Sequence, residues 1–263
     1  MGLFDFFKKK EQPKETKKSN ILLAMPMFNN GETFELEKVT DYLKNNWNTS
    51  ISDVNSEGRI VTFSIQGETI ALATMPTQIP WDDIEGTAQY AYNWVSASQD
   101  LKNHNSHIIV TLMSNKNSEL ERFKILTKVL SSIIATTNCL GVYQGSQSLL
   151  IPRQQYLDSS DALKTNQIPL DLWVYIGLRK GENGNSAYTY GLSAFDKLEM
   201  EFINTKLDLE EMYNFLGNIC AYVINSNVTF RSGETLGYTA EQKIKITKSK
   251  GVFVEGESFK FEI

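Results

Sequence analysis

Apolar and polar positions follow their clearest pattern between residues 107 and 143. Residues 107–113 form a β-branched apolar run that predicts a strand, and residues 119–137 place apolar side chains at the spacing of an amphipathic helix. Residues 139–143 then form a short apolar run around a glycine, which predicts a second strand. We therefore expect this strand–helix–strand stretch to be the structural centre of the protein.

The chain upstream of residue 107 shows similar patterns. Strands are predicted over residues 20–28, 59–65 and 69–75, and helices over residues 33–47 and 81–101. The predicted buried face of the second helix carries Trp81, Ile84, Ala88, Ala91, Val95 and Leu101. With strand 107–113 this gives the order β-α-β-β-α-β, which is that of the ferredoxin-like unit, and helix 119–137 would be an addition to it.

The chain downstream of residue 146 predicts a second α+β half with antiparallel strands. Residues 147–151 are apolar, and strands are expected over residues 169–177, 187–194 and 198–203. Residues 179–186 are expected to be an exposed hairpin loop because they are rich in Gly and Asn. A short helix is expected within residues 152–164. Asp208 and Glu211 form a capping-box pair, which predicts the start of a well-capped helix. The predicted fold class is therefore α+β.

Three parts of the chain are predicted: a leader over residues 1–19, an N-terminal half over 20–145, and a C-terminal half over 146–263 packed with the first as one unit. The leader begins with Leu3, Phe4, Phe6 and Phe7 and continues with three lysines. Aromatic and lysine side chains together suit an anionic interface, so one hypothesis is weak peripheral docking to a membrane or partner. The alternative is a mobile leader with no docking role.

Composition and charge argue against some classes of function for this chain. The formal net charge of -5 and the pI near 5.3 argue against a nucleic-acid binder, whose surface is usually basic. No apolar run approaches the roughly 18 residues of a membrane span. Cys139 and Cys220 fall in apolar surroundings, which predicts buried free thiols and a reducing compartment. We therefore expect a cytoplasmic protein.

The two histidines are the first candidates for chemistry. His104 and His107 lie in a predicted turn that enters a strand, where a spacing of three points the two rings to opposite sides. We expect them to cap the preceding helix and satisfy backbone groups, and we expect no metal site. The chain also lacks a G-x-S-x-G elbow and a G-x-x-x-x-G-K-[ST] loop, so neither a catalytic nucleophile nor a cofactor is predicted.

The carboxylates are the second candidates. Asp82, Asp83 and Glu85 occupy the opening turn of a predicted helix, where the helix dipole stabilises negative charge. Glu199 and Glu201 share one face of a predicted strand because side chains alternate with a period of two. We interpret that face as the solvated one, and acid–base catalysis by the pair as the alternative.

Three stretches of the second half have distinctive sequences. They are Pro169-Leu-Asp-Leu-Trp-Val-Tyr-Ile, then Tyr188-Thr-Tyr-Gly-Leu-Ser-Ala-Phe with Leu198-Glu-Met-Glu, and then Phe230-Arg-Ser-Gly-Glu-Thr-Leu-Gly. These stretches resemble a family of uncharacterised bacterial proteins, the domain of unknown function 4261. The resemblance extends into the first half at Leu101-Lys-Asn-His and Leu140-Gly-Val-Tyr. The family has no established activity, so the resemblance implies no catalytic residue.

These observations favour a non-enzymatic cytoplasmic protein that binds another protein. An acidic chain suits a basic partner through electrostatic complementarity, and neutralisation of a cognate bacterial toxin, as an immunity protein does, fits that requirement. The candidate partner-binding residues are Asp82, Asp83 and Glu85. The alternatives are an enzyme that uses Glu199 and Glu201, and an accessory protein docked to a scaffold or membrane through its leader.

Overall fold

A computed structural model describes residues 21–29, 31–237 and 242–262 of the chain. The predicted leader, residues 1–19, lies outside the described residues. The described ranges contain these α-helices: α1 (Leu36–Trp47), α2 (Trp81–Gln89), α3 (Ala97–Leu101), α4 (Glu119–Ala135), α5 (Arg153–Ser160) and α6 (Leu209–Asn225). Strands and helices in these ranges confirm the α+β class.

The first sheet has seven strands, and every pairing within it is antiparallel. Its strands are β1 (Leu22–Phe28), β2 (Ser52–Glu57), β3 (Ile60–Ile65), β4 (Glu68–Met75), β5 (Ser106–Leu112), β6 (Gly141–Gln144) and β7 (Leu149–Pro152). They lie in the order β2-β3-β4-β5-β1-β6-β7. Strand β5, predicted from the β-branched run at 107–113, is therefore central and is buried at most of its positions.

The strand order differs from the expected ferredoxin-like unit. In that unit the first strand lies between the two strands that flank the second helix, whereas here β5 lies between β4 and β1. The physical reason is strand β2, which the pattern did not predict because every one of its side chains is exposed. It turns the hairpin β3–β4 into a three-stranded meander, and the added reversal changes the direction in which β3 runs relative to β1.

Helices cover both faces of the first sheet. On one face, α1 and α4 pack through Val39, Leu43 and Val129 against strand residues such as Ala24 and Val110. On the other face, α2 and α3 form a smaller apolar cluster with Met27 and Leu150 of the sheet. A ferredoxin-like unit would place its two helices on the same face, so this arrangement also corrects that expectation.

The second sheet has six strands in the order β11-β12-β13-β10-β9-β8. They are β8 (Tyr175–Gly181), β9 (Gly184–Tyr190), β10 (Glu199–Thr205), β11 (Thr235–Gly237), β12 (Lys243–Lys250) and β13 (Glu257–Glu262). Strands β10 and β13 pair in parallel and the other pairings are antiparallel. The hairpin expected at 179–186 is present, but its loop is shorter than predicted, because β8 and β9 pair up to Gly181 and Gly184. The strand expected at 169–177 begins at Tyr175, after a 3₁₀ turn at Leu170–Leu172.

Helix α6 covers one face of the second sheet. It begins as predicted at the N-cap Asp208, whose carboxylate accepts a hydrogen bond of 2.7 Å from the Glu211 backbone N–H. Phe215 on the helix packs at ring-centroid distances of 5.5 Å and 5.8 Å on Phe202 and Phe261 of the sheet. The opposite face of the sheet therefore carries the alternate residues of the same strands.

Helix α4 joins the two sheets. Its Phe123 ring stacks on Phe195 with centroids 4.4 Å apart and lies 5.6 Å from the Trp173 ring. The Trp173 indole N–H donates to the Thr127 hydroxyl at 2.9 Å. Buried residues of both sheets consequently form one continuous core cluster around this helix, which agrees with its predicted central position.

Candidate functional site

The helix predicted over residues 81–101 is interrupted, and the interrupting segment carries exposed apolar and aromatic side chains. Helix α2 ends at Gln89 and α3 begins at Ala97. We call residues 90–96 the aromatic loop. Tyr90, Tyr92 and Val95 expose 57%, 51% and 95% of their surface, although Val95 was predicted to lie on a buried helix face.

Side-chain hydrogen bonds at its C-terminal end hold the aromatic loop in place. The Asp100 carboxylate accepts from the Trp94 indole N–H at 2.7 Å and from the Ser96 hydroxyl at 2.6 Å. These two bonds lower the pKa of Asp100, so its carboxylate stays charged. The Asn93 amide N–H₂ donates to the Leu150 carbonyl at 3.0 Å, which ties the loop to β7. The exposed rings are therefore presented on a fixed backbone.

Two tyrosines connect the aromatic loop to the second sheet. The Tyr92 hydroxyl donates to the Ile176 carbonyl at 3.2 Å, and the Tyr175 hydroxyl donates to the Tyr90 carbonyl at 3.3 Å. The Tyr92 and Tyr175 ring centroids are 5.9 Å apart. Burial raises the pKa of Tyr175 to about 12 and that of Tyr92 as well, so both phenols are neutral hydrogen-bond donors at neutral pH.

Aromatic rings continue from Tyr175 across the face of the second sheet that lies away from α6. Tyr175 and Tyr188 have centroids 6.1 Å apart, and Tyr188 stacks on Phe253 at 5.3 Å. The Arg179 guanidinium lies 5.1 Å from the centre of the Phe253 ring. Gly177 makes room for the Tyr188 ring, because a Cβ there would lie 2.3 Å from a ring carbon. We call Tyr90, Tyr92, Tyr175, Tyr188 and Phe253 together the aromatic strip.

The predicted partner-binding residues lie at the other end of α2 from the aromatic loop. Asp82, Asp83 and Glu85 are all exposed. Asp82, Glu85 and Gln89 follow one another at helical spacing on the exposed face of α2, which leads directly to Tyr90. At a rise of 1.5 Å per residue, Asp82 and Tyr90 are about 12 Å apart along the axis. One protein footprint is large enough to cover both ends.

Glu199 and Glu201 do not lie on a solvated face, which corrects the interpretation made from their alternation. Glu199 is 8% exposed and Glu201 is 0% exposed. Glu199 accepts hydrogen bonds from the Thr189 hydroxyl at 2.7 Å and from backbone N–H groups of residues 191 and 193 at 3.0 Å and 3.1 Å. Burial nevertheless raises its pKa, because these donors do not fully compensate the lost solvation.

Glu201 has a different environment from Glu199. Its carboxylate accepts from the backbone N–H groups of Val252 and Phe253, from the Ser258 hydroxyl at 2.5 Å, and from the Lys260 ammonium. Burial alone would raise the pKa of Glu201, but the ammonium and hydroxyl donors and the two backbone groups lower it below its usual range. The two carboxylates therefore bind separate sets of donors, and Glu201 anchors the loop between β12 and β13.

The two histidines hold the loop that precedes α2. The Ile79 backbone N–H donates to His104 Nε2 at 2.9 Å, so Nδ1 carries the proton and donates to the Leu101 carbonyl at 2.6 Å. The bond to Leu101, the last residue of α3, confirms the predicted capping role. His107 Nδ1 lies 2.9 Å from the Thr77 carbonyl. Both rings therefore contact residues 77–79, whereas the spacing had indicated that they would point to opposite sides.

The remaining candidates give no reactive group. Cys139 and Cys220 are buried free thiols, as predicted, and burial raises the pKa of Cys139 to about 12 and raises that of Cys220. Within the described ranges no three His, Cys, Asp or Glu side chains come together in a metal-binding group. None of the helices described is long and apolar enough to cross a membrane.

The sequence pattern drew attention to the acidic residues of α2 and not to the aromatic residues that follow them. The run Tyr90-Ala-Tyr-Asn-Trp was the available signal, since aromatic and Asn residues have low helix propensity. Its partner on the second sheet, Tyr175, is more than 80 residues away along the chain. Nothing in the local pattern indicates that these rings meet.

Comparison with known proteins finds a family match in the C-terminal part of the chain. Residues 188–262 match the model of the family described as Domain of unknown function (DUF4261). The predicted resemblance to that family is thus confirmed over these residues, which run from Tyr188 of the aromatic strip to the end of β13 and include Phe253. No curated protein and no solved structure matches the chain.

Proposed function

We propose that this chain is a protein-binding protein whose binding surface consists of the acidic start of α2 and the aromatic loop. The observation that carries the proposal is the exposure of Tyr90, Tyr92 and Val95 on a backbone fixed by the bonds of Asn93 and Asp100. Tyrosine is enriched at the centres of protein interfaces. A preorganised loop also loses little conformational entropy on binding, which favours affinity.

The charge beside the rings defines the kind of partner. Asp82, Asp83 and Glu85 give three exposed carboxylates within one turn of helix, and the chain has a formal net charge of -5. A partner with a basic surface would be attracted by this charge, and its association rate would fall as salt is added. Within this class we propose a basic bacterial toxin as the partner and neutralisation of it in the cytoplasm as the function.

The alternative of an enzyme using Glu199 and Glu201 has less support. Both carboxylates are buried, and each is bonded to donors of its own chain that fix a loop or turn. The third hypothesis, docking through the leader, concerns residues 1–19, which lie outside the described residues. It stays a prediction.

Affinity purification from the native host with matched variants tests the proposal. The first test variant is Tyr90→Ser with Val95→Ser, and its control is Tyr222→Ser, which alters a tyrosine that is 48% exposed on α6. We expect one protein to be recovered in near-equimolar amount with the wild type and with the control. The double variant should recover at least tenfold less of it, the loss typical of removing interface hot spots.

The contribution of the three acidic residues of α2 to partner binding is tested in the same way. The second test variant is Asp82→Asn with Asp83→Asn and Glu85→Gln, and its control neutralises three other exposed acids, Glu37, Asp41 and Glu210. At low salt the test variant should recover less of the partner than the wild type or the control does, and its recovery should depend less on added salt, because the attraction that salt screens has been removed. Equal recovery with test and control variants in both pairs would refute the proposed surface.

A further inference from the structure

The second sheet ends in a free strand edge beside the aromatic loop. Strand β8 is the last strand of that sheet and pairs on one side only, with β9. On its other side the Ile176 carbonyl accepts from the Tyr92 hydroxyl, and in an antiparallel strand the backbone groups of alternate residues point to the same side. The backbone N–H and C=O groups of Leu178 and Lys180 therefore face outward, and within the described ranges they bond to no other segment.

A cavity of about 300 Å³ lies beside this edge, between β8 and α6. It is lined by Leu170, Asp171, Val174, Ile176, Tyr213 and Gly217. A segment that paired with β8 would direct every second side chain toward the α6 face, where the cavity lies. Recognition by strand addition uses main-chain hydrogen bonds for affinity and a pocket for alternate side chains for specificity, and this edge offers both.

Gly217 keeps the cavity open. It lies inside helix α6, where glycine is less favourable than alanine. Packing within the chain does not require a glycine, because the nearest atom that a Cβ would meet is the Leu170 Cδ2 at 3.9 Å, an ordinary contact distance. The helix therefore leaves space that no described side chain fills.

Asp171 defines the charge of a side chain that suits the cavity. Its Oδ2 accepts from the Ser159 hydroxyl at 2.5 Å and from the Gln155 amide at 3.1 Å, whereas no hydrogen bond reaches its Oδ1 from the part of the chain that the structure describes. Most of the other lining residues are apolar. A Lys or Arg side chain has an apolar stem and a cationic end, so it matches both features. Arg179 and Lys180 are exposed at the opposite, hairpin end of β8, which favours the Asp171 end for a cation.

We propose that an extended segment of the protein partner adds to β8 as a strand and places a Lys or Arg side chain in this cavity, against Asp171. The inference rests on the proposed function, because it names the part of the basic partner that contacts the chain next to the aromatic loop. The bonds of Tyr92 to Ile176 and of Tyr175 to Tyr90 make the edge and the loop one continuous surface.

Two peptides test the proposal by NMR on the full chain. They are acetyl-Val-Thr-Lys-Thr-Val-amide and the same peptide with norleucine in place of lysine, which keeps an apolar stem and lacks the ammonium. We expect the lysine peptide to shift the amide signals of Leu178 and Lys180 and to bind at least tenfold more tightly than the norleucine peptide. Asp171→Asn should remove that preference, and Asp158→Asn, at an exposed position of α5, should leave it unchanged. No shift at about 10 mM, or equal affinity of the wild type for the two peptides, would overturn the proposal.

Capture of the partner from the native host tests whether the partner itself uses this edge. Gly217→Ala should raise the Tm, because alanine is the better helix former, and yet recover at least tenfold less partner than the wild type. Its control is Asn218→Ala, at an exposed position of the same helix, which should leave recovery unchanged. Lys180→Pro, which removes an outward N–H, should recover less partner than Lys180→Ala, which keeps it.

The outcomes distinguish the two proposals. A wild type that recovers no partner would refute both, whereas full recovery by Gly217→Ala and Lys180→Pro would refute the added strand alone. A dimer in solution that Lys180→Pro dissociates would show that a second copy of the chain occupies the edge, and would also overturn the added strand from the partner.

Discussion

The indole N–H of Trp173 donates to the hydroxyl of Thr127 at 2.9 Å, and both residues are buried. The bond links the segment that leads into the second sheet to helix α4, which packs on the first sheet. Phe123 and Phe195 stack beside it. The packing across α4 therefore couples the two halves of the chain.

This coupling predicts that both halves unfold together. In urea, circular dichroism and tryptophan fluorescence should give coincident single transitions, since the core cluster includes buried residues of both sheets. Thr127→Val should reduce the free energy of unfolding by about 1–3 kcal/mol, because the Trp173 N–H loses its buried acceptor. Two separate transitions, or a Thr127→Val variant that destabilises one transition alone, would show that the halves are independent.

The contrast between Glu201 and Glu199 predicts unequal effects of the same substitution. Glu201→Gln removes the negative partner of Lys260, and we expect it to reduce the free energy of unfolding by about 3 kcal/mol, as when one member of a buried ion pair is removed. Glu199→Gln is the matched control and should cost about 1 kcal/mol or less, because burial already favours the neutral form of that carboxyl group. Urea unfolding at pH 7 measures both.

The pH dependence of the two carboxylate variants should also differ. Since the pKa of Glu201 is lowered in the folded protein, its contribution to stability is present above the unfolded pKa of about 4.3 and is lost as pH falls through the folded value. The raised pKa of Glu199 has the opposite effect on stability, because protonation of that carboxyl group on acidification favours the folded state. Glu201→Gln should therefore show a weaker loss of stability on acidification than the wild type. An unchanged or steeper acid dependence would contradict the assigned role of its charge.

His104 predicts a second pH effect, in a higher range. Its Nε2 accepts from the Ile79 N–H, and protonation would destroy that acceptor. Burial lowers its pKa, so the folded state disfavours the proton that the unfolded state binds below about pH 6.5. Stability should thus be full above about pH 6.5 and should fall below it, by at most about 1.4 kcal/mol per pH unit for this residue.

Substitution isolates the contribution of His104. The free energy of unfolding of His104→Gln, measured between pH 7.5 and 5.5, should depend less on pH than that of the wild type, and His107→Gln corrects for the other buried imidazole. The carboxylates contribute equally to all three proteins and cancel in the comparison. Identical slopes for the wild type and His104→Gln would mean that this imidazole does not titrate as its bonds imply.

The pattern of apolar positions predicted the fold where burial is local and regular. The apolar stripe of α4, the strand β5 and the N-cap at Asp208 were all located correctly because each depends on neighbouring residues. Strand β2 was not predicted, because it is exposed along its whole length and so shows no apolar alternation. The ferredoxin-like order failed with it, since one unrecognised strand changes every later direction in the sheet.

Prediction of the candidate site failed where tertiary contacts override local preference. The stripe Ile84, Ala88, Ala91, Val95 fits a continuous helix, yet the bonds of Asn93 to Leu150 and of Trp94 to Asp100 stabilise a loop there. Glu199 and Glu201 alternate like residues of a solvated face, but hydrogen-bond donors from other segments of the chain allow both carboxylates to be buried. Neither the bonds of the aromatic loop nor the donors to the two carboxylates can be predicted from residue type and spacing alone.

The central claim is that a protein partner binds over the aromatic loop, and crosslinking in the native host tests it most directly. Benzoyl-phenylalanine would replace Tyr90, and in a control protein Tyr222, which is 48% exposed on α6. We expect irradiation to join position 90 to a single basic protein, with the yield reduced when Asp82, Asp83 and Glu85 are neutralised. No crosslinked protein at position 90, or the same products at positions 90 and 222, would contradict the claim.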